Sequence, residues 1–224
     1  MLIGNYFKNI NSKNGNHFFS GLSFDSLTCK KNNIFFAIKG NNFDGNKFVK
    51  DALKKGVRTI VSNKKFQGIK NNILYIKSSN VRKTLAQTSF KIFKNKPKNL
   101  IGVTGTNGKS SIANFYFQIL KLNNKKVASI GTLGIQTISN KINVSNTTLD
   151  PLQLGYCLTK LKKLNIDNVI LEASSHGLKQ NRLDGLEFNI GIFTNLSHDH
   201  LDYHKNFKDY LNAKLYLFEK LLKK

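Results

Sequence analysis

The chain has 224 residues, 40% of them hydrophobic, enough for one large or two modest domains with apolar cores of their own. No apolar run approaches the ~20 residues of a membrane-spanning helix, and the start, Met1 to Tyr6, lacks the basic and apolar pattern of a secretory leader. The formal charge of +24 comes from lysines scattered through the chain, often beside asparagine, with Arg58, Arg82 and Arg182 the only arginines.

That scatter, without interleaved aromatics, argues against specific nucleic-acid binding and for a solvated surface under a Lys/Asn bias. Cys29 and Cys157 stand far apart without metal-type spacing and read as free packing residues in a reducing compartment. The expectation is a cytoplasmic protein, monomeric and not membrane-bound.

In chain order, a strand is predicted at 34–38, an amphipathic helix near 47–55, strands at 59–62 and 73–76, and a helix over 81–93. A polar stretch with Pro97 follows, which ends that helix and marks a boundary between domains 1–97 and 98–224. The second half opens with a strand at 100–103, a glycine loop, and a helix over 110–122. Strands at 127–130, 169–172 and 190–194 alternate with helices at 151–164 and 207–222. The pattern is α/β throughout: a small N-terminal α/β domain, then a second with a mostly parallel sheet.

The segment from Ile101 to Ser111, Ile-Gly-Val-Thr-Gly-Thr-Asn-Gly-Lys-Ser-Ser, joins an apolar strand to a helix. Gly105, Thr106, Asn107, Gly108, Lys109, Ser110 and Ser111 form the expected triphosphate cradle. Glycines let backbone N–H groups converge on an anion, and the following helix points its positive end there. Lys109 reaches the terminal phosphates, and the Ser110 hydroxyl suits Mg²⁺. The glycines recur every third residue, unlike the commoner phosphate-loop spacing.

That variant loop resembles the loop of the Mur ligases of peptidoglycan synthesis, and further motifs follow in the family's order. They are Asn146 to Pro151, Leu171 to Leu178, Gln180 to Gly185, Phe193 to His204 and Asn212 to Lys214. Their Ser-Ser-His and Asp-His-Leu-Asp-Tyr-His forms resemble the branch that adds the third residue of the stem peptide. Phe24 to Ser26 and Gly40 to Gly45 look like that branch's uridine-nucleotide pocket.

The resemblance implies an ATP-dependent ligase that makes an acyl phosphate and then an amide. The partners it implies are UDP-N-acetylmuramoyl-L-alanyl-D-glutamate and a diamino acid, meso-diaminopimelate being favoured over L-lysine. It assigns Lys109, Glu172, His200 and Lys214 to catalysis, with one Mg²⁺ held by Ser110, Glu172 and His200 and a second held by Lys214 as a carbamate. Muramoyl-peptide binding falls to Phe24, Ser26, Asn41, Asn42, Phe43, Asn146, Thr147, Thr148, Ser174, Gln180 and Arg182.

Read from position alone, Glu172 is as readily a solvated strand-end carboxylate, Lys214 a solvated helix lysine, and His198 and His204 polar loop residues. Zinc on the histidine cluster conflicts with the phosphate loop and with the lack of nearby cysteine. Folylpolyglutamate-type synthetases share the loop, and a non-catalytic fragment that binds only ATP or a uridine-diphosphate sugar is the other alternative. The family reads Asp-Ser-Arg where this chain has Asp25-Ser26-Leu27, which removes a guanidinium. The chain also ends ten residues beyond Lys214, so a truncated central domain without the C-terminal ligase domain, inactive alone, is expected.

Overall fold

A computed structural model describes residues 1–8, 10, 12–40, 43–200 and 202–223. Two compact units divide the chain, Met1–Lys91 and Ile92–Lys224.

The first unit contains helix α1 (Ser12–Gly15), strands β1 (Gly21–Ser23) and β2 (Asn33–Phe36), helix α2 (Val49–Lys54), strands β3 (Thr59–Ser62), β4 (Gly68–Lys70) and β5 (Ile73–Lys77), and helix α3 (Val81–Ile92). Its sheet runs β1-β2-β3-β5-β4, parallel except for β4 against β5. β2 and β3 are buried at every position, so they read as short apolar runs rather than alternating ones. Phe35, Ala37, Ala52, Val57 and Ile60 form one core cluster there. The helix expected over 47–55 is a 3-10 turn (Gly45–Phe48) followed by α2, with the Asp44 carboxylate accepting from the Asn46 amide at the start.

The second unit begins with β6 (Asn99–Thr104), α4 (Lys109–Leu122), β7 (Val127–Gly131), β8 (Gly134–Thr137) and β9 (Lys141–Ile142). It continues with α5 (Pro151–Lys163), β10 (Asn168–Glu172), α6 (Ser175–Lys179), β11 (Ile190–Phe193) and α7 (Phe207–Tyr216). The strand order is β11-β6-β10-β7-β8-β9. The first four strands are parallel, and the β8–β9 hairpin extends the sheet in antiparallel sense. Ile101, Val103, Ala113 and Ile170 form a core between α4 and the sheet.

Local chemistry sets the helix starts. Pro151 needs no amide partner in the first turn of α5, and Asp150 accepts from the amides of Leu152 and Gln153. Asn206 caps α7 through the Asp209 amide. The predicted helix over 207–222 departs from α geometry after Tyr216, where a π turn spans Leu217–Leu221. The asparagines have a structural use as well: Asn32, Asn71, Asn72, Asn124, Asn165 and Asn181 all adopt left-handed φ, which asparagine tolerates better than most residues. Among the described residues no helix is long and apolar enough to cross a membrane.

Candidate functional site

In the second unit the carboxyl ends of β6, β7, β10 and β11 converge, the edge where open α/β sheets take ligands. β6 delivers the glycine loop and α4 leaves it. Gly105 has φ +146°, and a Cβ there would come within 1.8 Å of Thr194 Oγ1. Only glycine allows this approach. Gly108, at φ +81°, opens α4. The end of β11 braces the loop: Thr194 Oγ1 donates to the Asn107 carbonyl (2.6 Å), and Asn195 Oδ1 accepts from the Asn107 amide (3.0 Å). From α7, Tyr210 shares a hydrogen bond with Thr106 Oγ1 at 3.0 Å.

Two lysines meet on the inner side of this loop. Lys109 Nζ donates to the carbonyls of Gly105 and Thr106, both at 2.8 Å. Lys214 Nζ, from α7, donates to the same Gly105 carbonyl at 2.6 Å and lies 4.2 Å from the Tyr210 ring centroid. Lys214 is 1% exposed, so it is not the solvated helix lysine that its position alone suggests. Burial, and then the like charge of Lys109, push its pKa down to about 7, against a smaller upward pull from Asp199. Lys109 is lowered as well, by burial, with Glu172 and Asp199 opposing.

Glu172 ends β10 at 2% exposure, which corrects the solvated strand-end alternative. Its carboxylate accepts from Ser110 Oγ (2.9 Å), the Thr132 amide (3.1 Å) and Thr132 Oγ1 (3.1 Å). A Cβ on Gly131 would stand 2.1 Å from Glu172 Oε1, so glycine at the end of β7 makes room for the carboxylate. Ser110 and Glu172 thus already form the oxygen-donor pair that a hard divalent cation prefers. Among the described residues no group of three or more His, Cys, Asp or Glu gathers as a metal site.

A cavity of about 380 Å³ opens beside these groups, lined by Lys109, Glu172's partner Thr132, His176, His200 and Lys214. Asn146, Thr147, Thr148, Ser174, Gln180 and Arg182 line the same cavity. Thr148 Oγ1 donates to the Glu172 carbonyl at 2.8 Å and accepts from the Ser174 amide at 2.9 Å. Arg182 Nε and Nη2 hold Gln180 Oε1, and Nη1 donates to the Thr148 carbonyl at 2.5 Å. Thr132 Oγ1 is 3.0 Å from Thr147 Oγ1 and so links the Glu172 carboxylate to the Asn146–Thr148 segment.

His200 faces this cavity with φ +53°, a strained conformation for a non-glycine residue. The rings of His176 and His200 are 4.9 Å apart, and Tyr203 lies 4.0 Å from His176. His204 is not the polar loop residue its sequence context suggests. It is 1% exposed, its Nδ1 is 3.6 Å from Asp209 Oδ2, and burial lowers its pKa and favours the neutral ring. His198 stacks on Phe207.

In the first unit, Ser26 is buried, while Phe24, Leu27 and Phe43 are exposed. Asp25 Oδ1 accepts from the Leu27 amide, and Lys55 donates to the Leu27 carbonyl. Asn41 and Asn42 lie outside the described residues. Sequence reasoning passed over Thr132 and Tyr210, and gave no role to Thr194 and Asn195 although both lie in the Phe193 to His204 motif. Thr194 and Asn195 follow the apolar strand β11 directly, a signal for a loop-bracing role; Thr132 and Tyr210 carry none.

Comparison with known proteins matches residues 103–224 to the Mur ligase middle domain and residues 19–91 to the Mur ligase family catalytic domain. The UDP-N-acetylmuramoyl-L-alanyl-D-glutamate–2,6-diaminopimelate ligase of Rickettsia conorii is 43% identical over 207 residues, 90% of this chain and 43% of that protein. The enzyme of the same name from Clostridium tetani is 40% identical over 205 residues, covering 88% and 42% of the two chains. A solved structure bearing that enzyme name superposes over 100% of this chain and 46% of its own, at TM-score 0.85 and 31% identity. The chain therefore spans less than half the length of these relatives.

Proposed function

This chain belongs to the Mur ligase family, and from that premise we propose that it forms the ATP- and muramoyl-peptide-binding part of a ligase joining meso-diaminopimelate to UDP-N-acetylmuramoyl-L-alanyl-D-glutamate. The observation that carries this reading is one cavity lined by Lys109, Lys214, Thr147, Thr148 and Arg182, with the Glu172 carboxylate held behind it by Ser110 and Thr132. The names of the relatives support diaminopimelate as the amino acid.

ATP lies along residues 105–111, with loop amides and Lys109 on its phosphates. The ammonium of Lys109 leaves the carbonyls of Gly105 and Thr106 to do so. Ser110, Glu172 and His200 would hold one Mg²⁺ and the Lys214 carbamate a second, which would supply charge neutralisation on the phosphoryl oxygens. Charge gathers on those oxygens during transfer, so preplaced cations lower the barrier. The side-chain carboxylate of the D-glutamyl residue attacks the γ-phosphorus, and ADP leaves. The amine of the diamino acid then attacks the acyl carbonyl, phosphate departs, and the amine sheds a proton.

Lys214 enters as its carbamate. The neutral amine adds to CO₂ and releases one proton, and a pKa near 7 keeps about half the amine neutral at neutral pH. The Arg182 fork is suited to a substrate carboxylate or phosphate, next to Thr148 and Ser174. In the first unit, Phe24, Ser26, Asn41, Asn42 and Phe43 bind the uridine group, with Leu27 in place of a cation.

Titrating the chain with UDP-N-acetylmuramoyl-L-alanyl-D-glutamate, followed by calorimetry, tests this assignment. Arg182→Ala should weaken binding by about tenfold to a hundredfold, the range for a lost charged hydrogen bond. Arg182→Lys should restore little, because the fork is lost. Equal affinity in all three proteins would refute it.

A further inference from the structure

A second cavity in this unit is larger than the one beside the phosphate loop. About 510 Å³ lies between the β8–β9 hairpin and α5, within the usual ~300–1,000 Å³ range of small-molecule sites. One wall carries Ile135, Ile142 and Val144, the other Tyr156, Leu161 and Leu164. Tyr156, Lys160 and Leu164 are spaced by four and stack along one side of α5 and its C-terminal cap. On a helix face turned to water these positions would ordinarily be polar. Tyr156 and Leu164 are instead 64% and 54% exposed, and Ile142 opposite them is 45% exposed.

Charge narrows the occupant. Lys160 is the only charged residue lining the cavity, and no aspartate or glutamate lines it. Among the described residues Lys160 has no ion-pair partner. Thr137 and Asn140 add polar groups at the hairpin end. An apolar trough with one unpaired ammonium matches a molecule with an apolar body and a single anionic head; a neutral hydrocarbon would leave the ammonium unused. We propose that the trough between the β8–β9 hairpin and α5 is a binding site for a small anionic amphiphile.

The site is separate from the nucleotide cleft. The two share only Ser145, and the nucleotide assignment can fail without affecting this one.

Fluorescence titration with 8-anilinonaphthalene-1-sulfonate, competed by dodecanoate, tests the proposal on the folded 224-residue chain. One saturable site is expected, emptied by dodecanoate. Tyr156→Asp and, separately, Leu164→Asp should abolish it; both side chains are exposed, so an unchanged melting temperature is expected to accompany the loss. Lys160→Glu should weaken the anionic probe about tenfold, as charge reversal at one contact allows. Affinity for the neutral probe N-phenyl-1-naphthylamine should stay within about twofold. Binding at many sites that follows ionic strength and ignores all three substitutions would be adsorption to the lysine-rich surface and would overturn the proposal. Absence of any fluorescence enhancement would do the same.

Discussion

The phosphate loop and α7 deliver one lysine each to the same carbonyl oxygen, by opposite routes. Lys109 follows four residues after Gly105 and folds back onto its own loop. Lys214 arrives from 109 residues downstream and is held by Tyr210 and the Gly105 carbonyl. The first arrangement is a matter of local backbone grammar. The second exists only because α7, packed on α6, brings Tyr210 and Lys214 to the loop. Two cations that look alike on paper therefore differ in what accompanies their burial: the carboxylates of Glu172 and Asp199 pull the Lys109 pKa back up, whereas the like charge of Lys109 adds to the lowering of Lys214.

Gly131 is the strongest way to break this arrangement without touching either lysine. Gly131→Val drives a side chain into Glu172, where even a Cβ would lie 2.1 Å from a carboxylate oxygen. Overpacking of that kind costs about 1–3 kcal/mol. A urea titration should show the midpoint falling, and Mg²⁺-dependent nucleotide binding should be lost with the displaced Glu172. Retained stability and binding would mean that the carboxylate is not confined as described.

A smaller change sharpens the contrast. Lys109→Met removes the like charge that helps to depress Lys214, so the Lys214 pKa should rise from about 7. Its neutral form exists above the pKa, so the pH window for carbamate formation should move upward. A rise of about one unit would cut the neutral fraction at pH 7.5 roughly threefold. The ¹³C-carbamate resonance in labelled bicarbonate would report it. An unmoved pH profile would mean that burial alone sets the lysine.

The same contrast accounts for what could be read in the sequence. β3, the β6–loop–α4 unit and α5 follow from apolar runs, glycine spacing and Asp150-Pro151, signals carried within a few residues. β1 and β4, three residues each, and the short β8–β9 hairpin fall below what periodicity can mark. The burial of Glu172, His204 and Lys214 depends on packing from other elements, and no local pattern signals it. Thr132 is hidden for the same reason, since its use comes from strand neighbours at β10.

Calorimetry with Mg²⁺-ATP on the 224-residue chain and on Lys109→Ala tests the central claim most directly. One site is expected for the unaltered chain. In the variant it should be weakened by about tenfold or more, since a charged hydrogen bond contributes about 1.5–3 kcal/mol. Equal affinity in the two proteins, or no binding by the unaltered chain, would contradict a triphosphate seat at Gly105–Ser111.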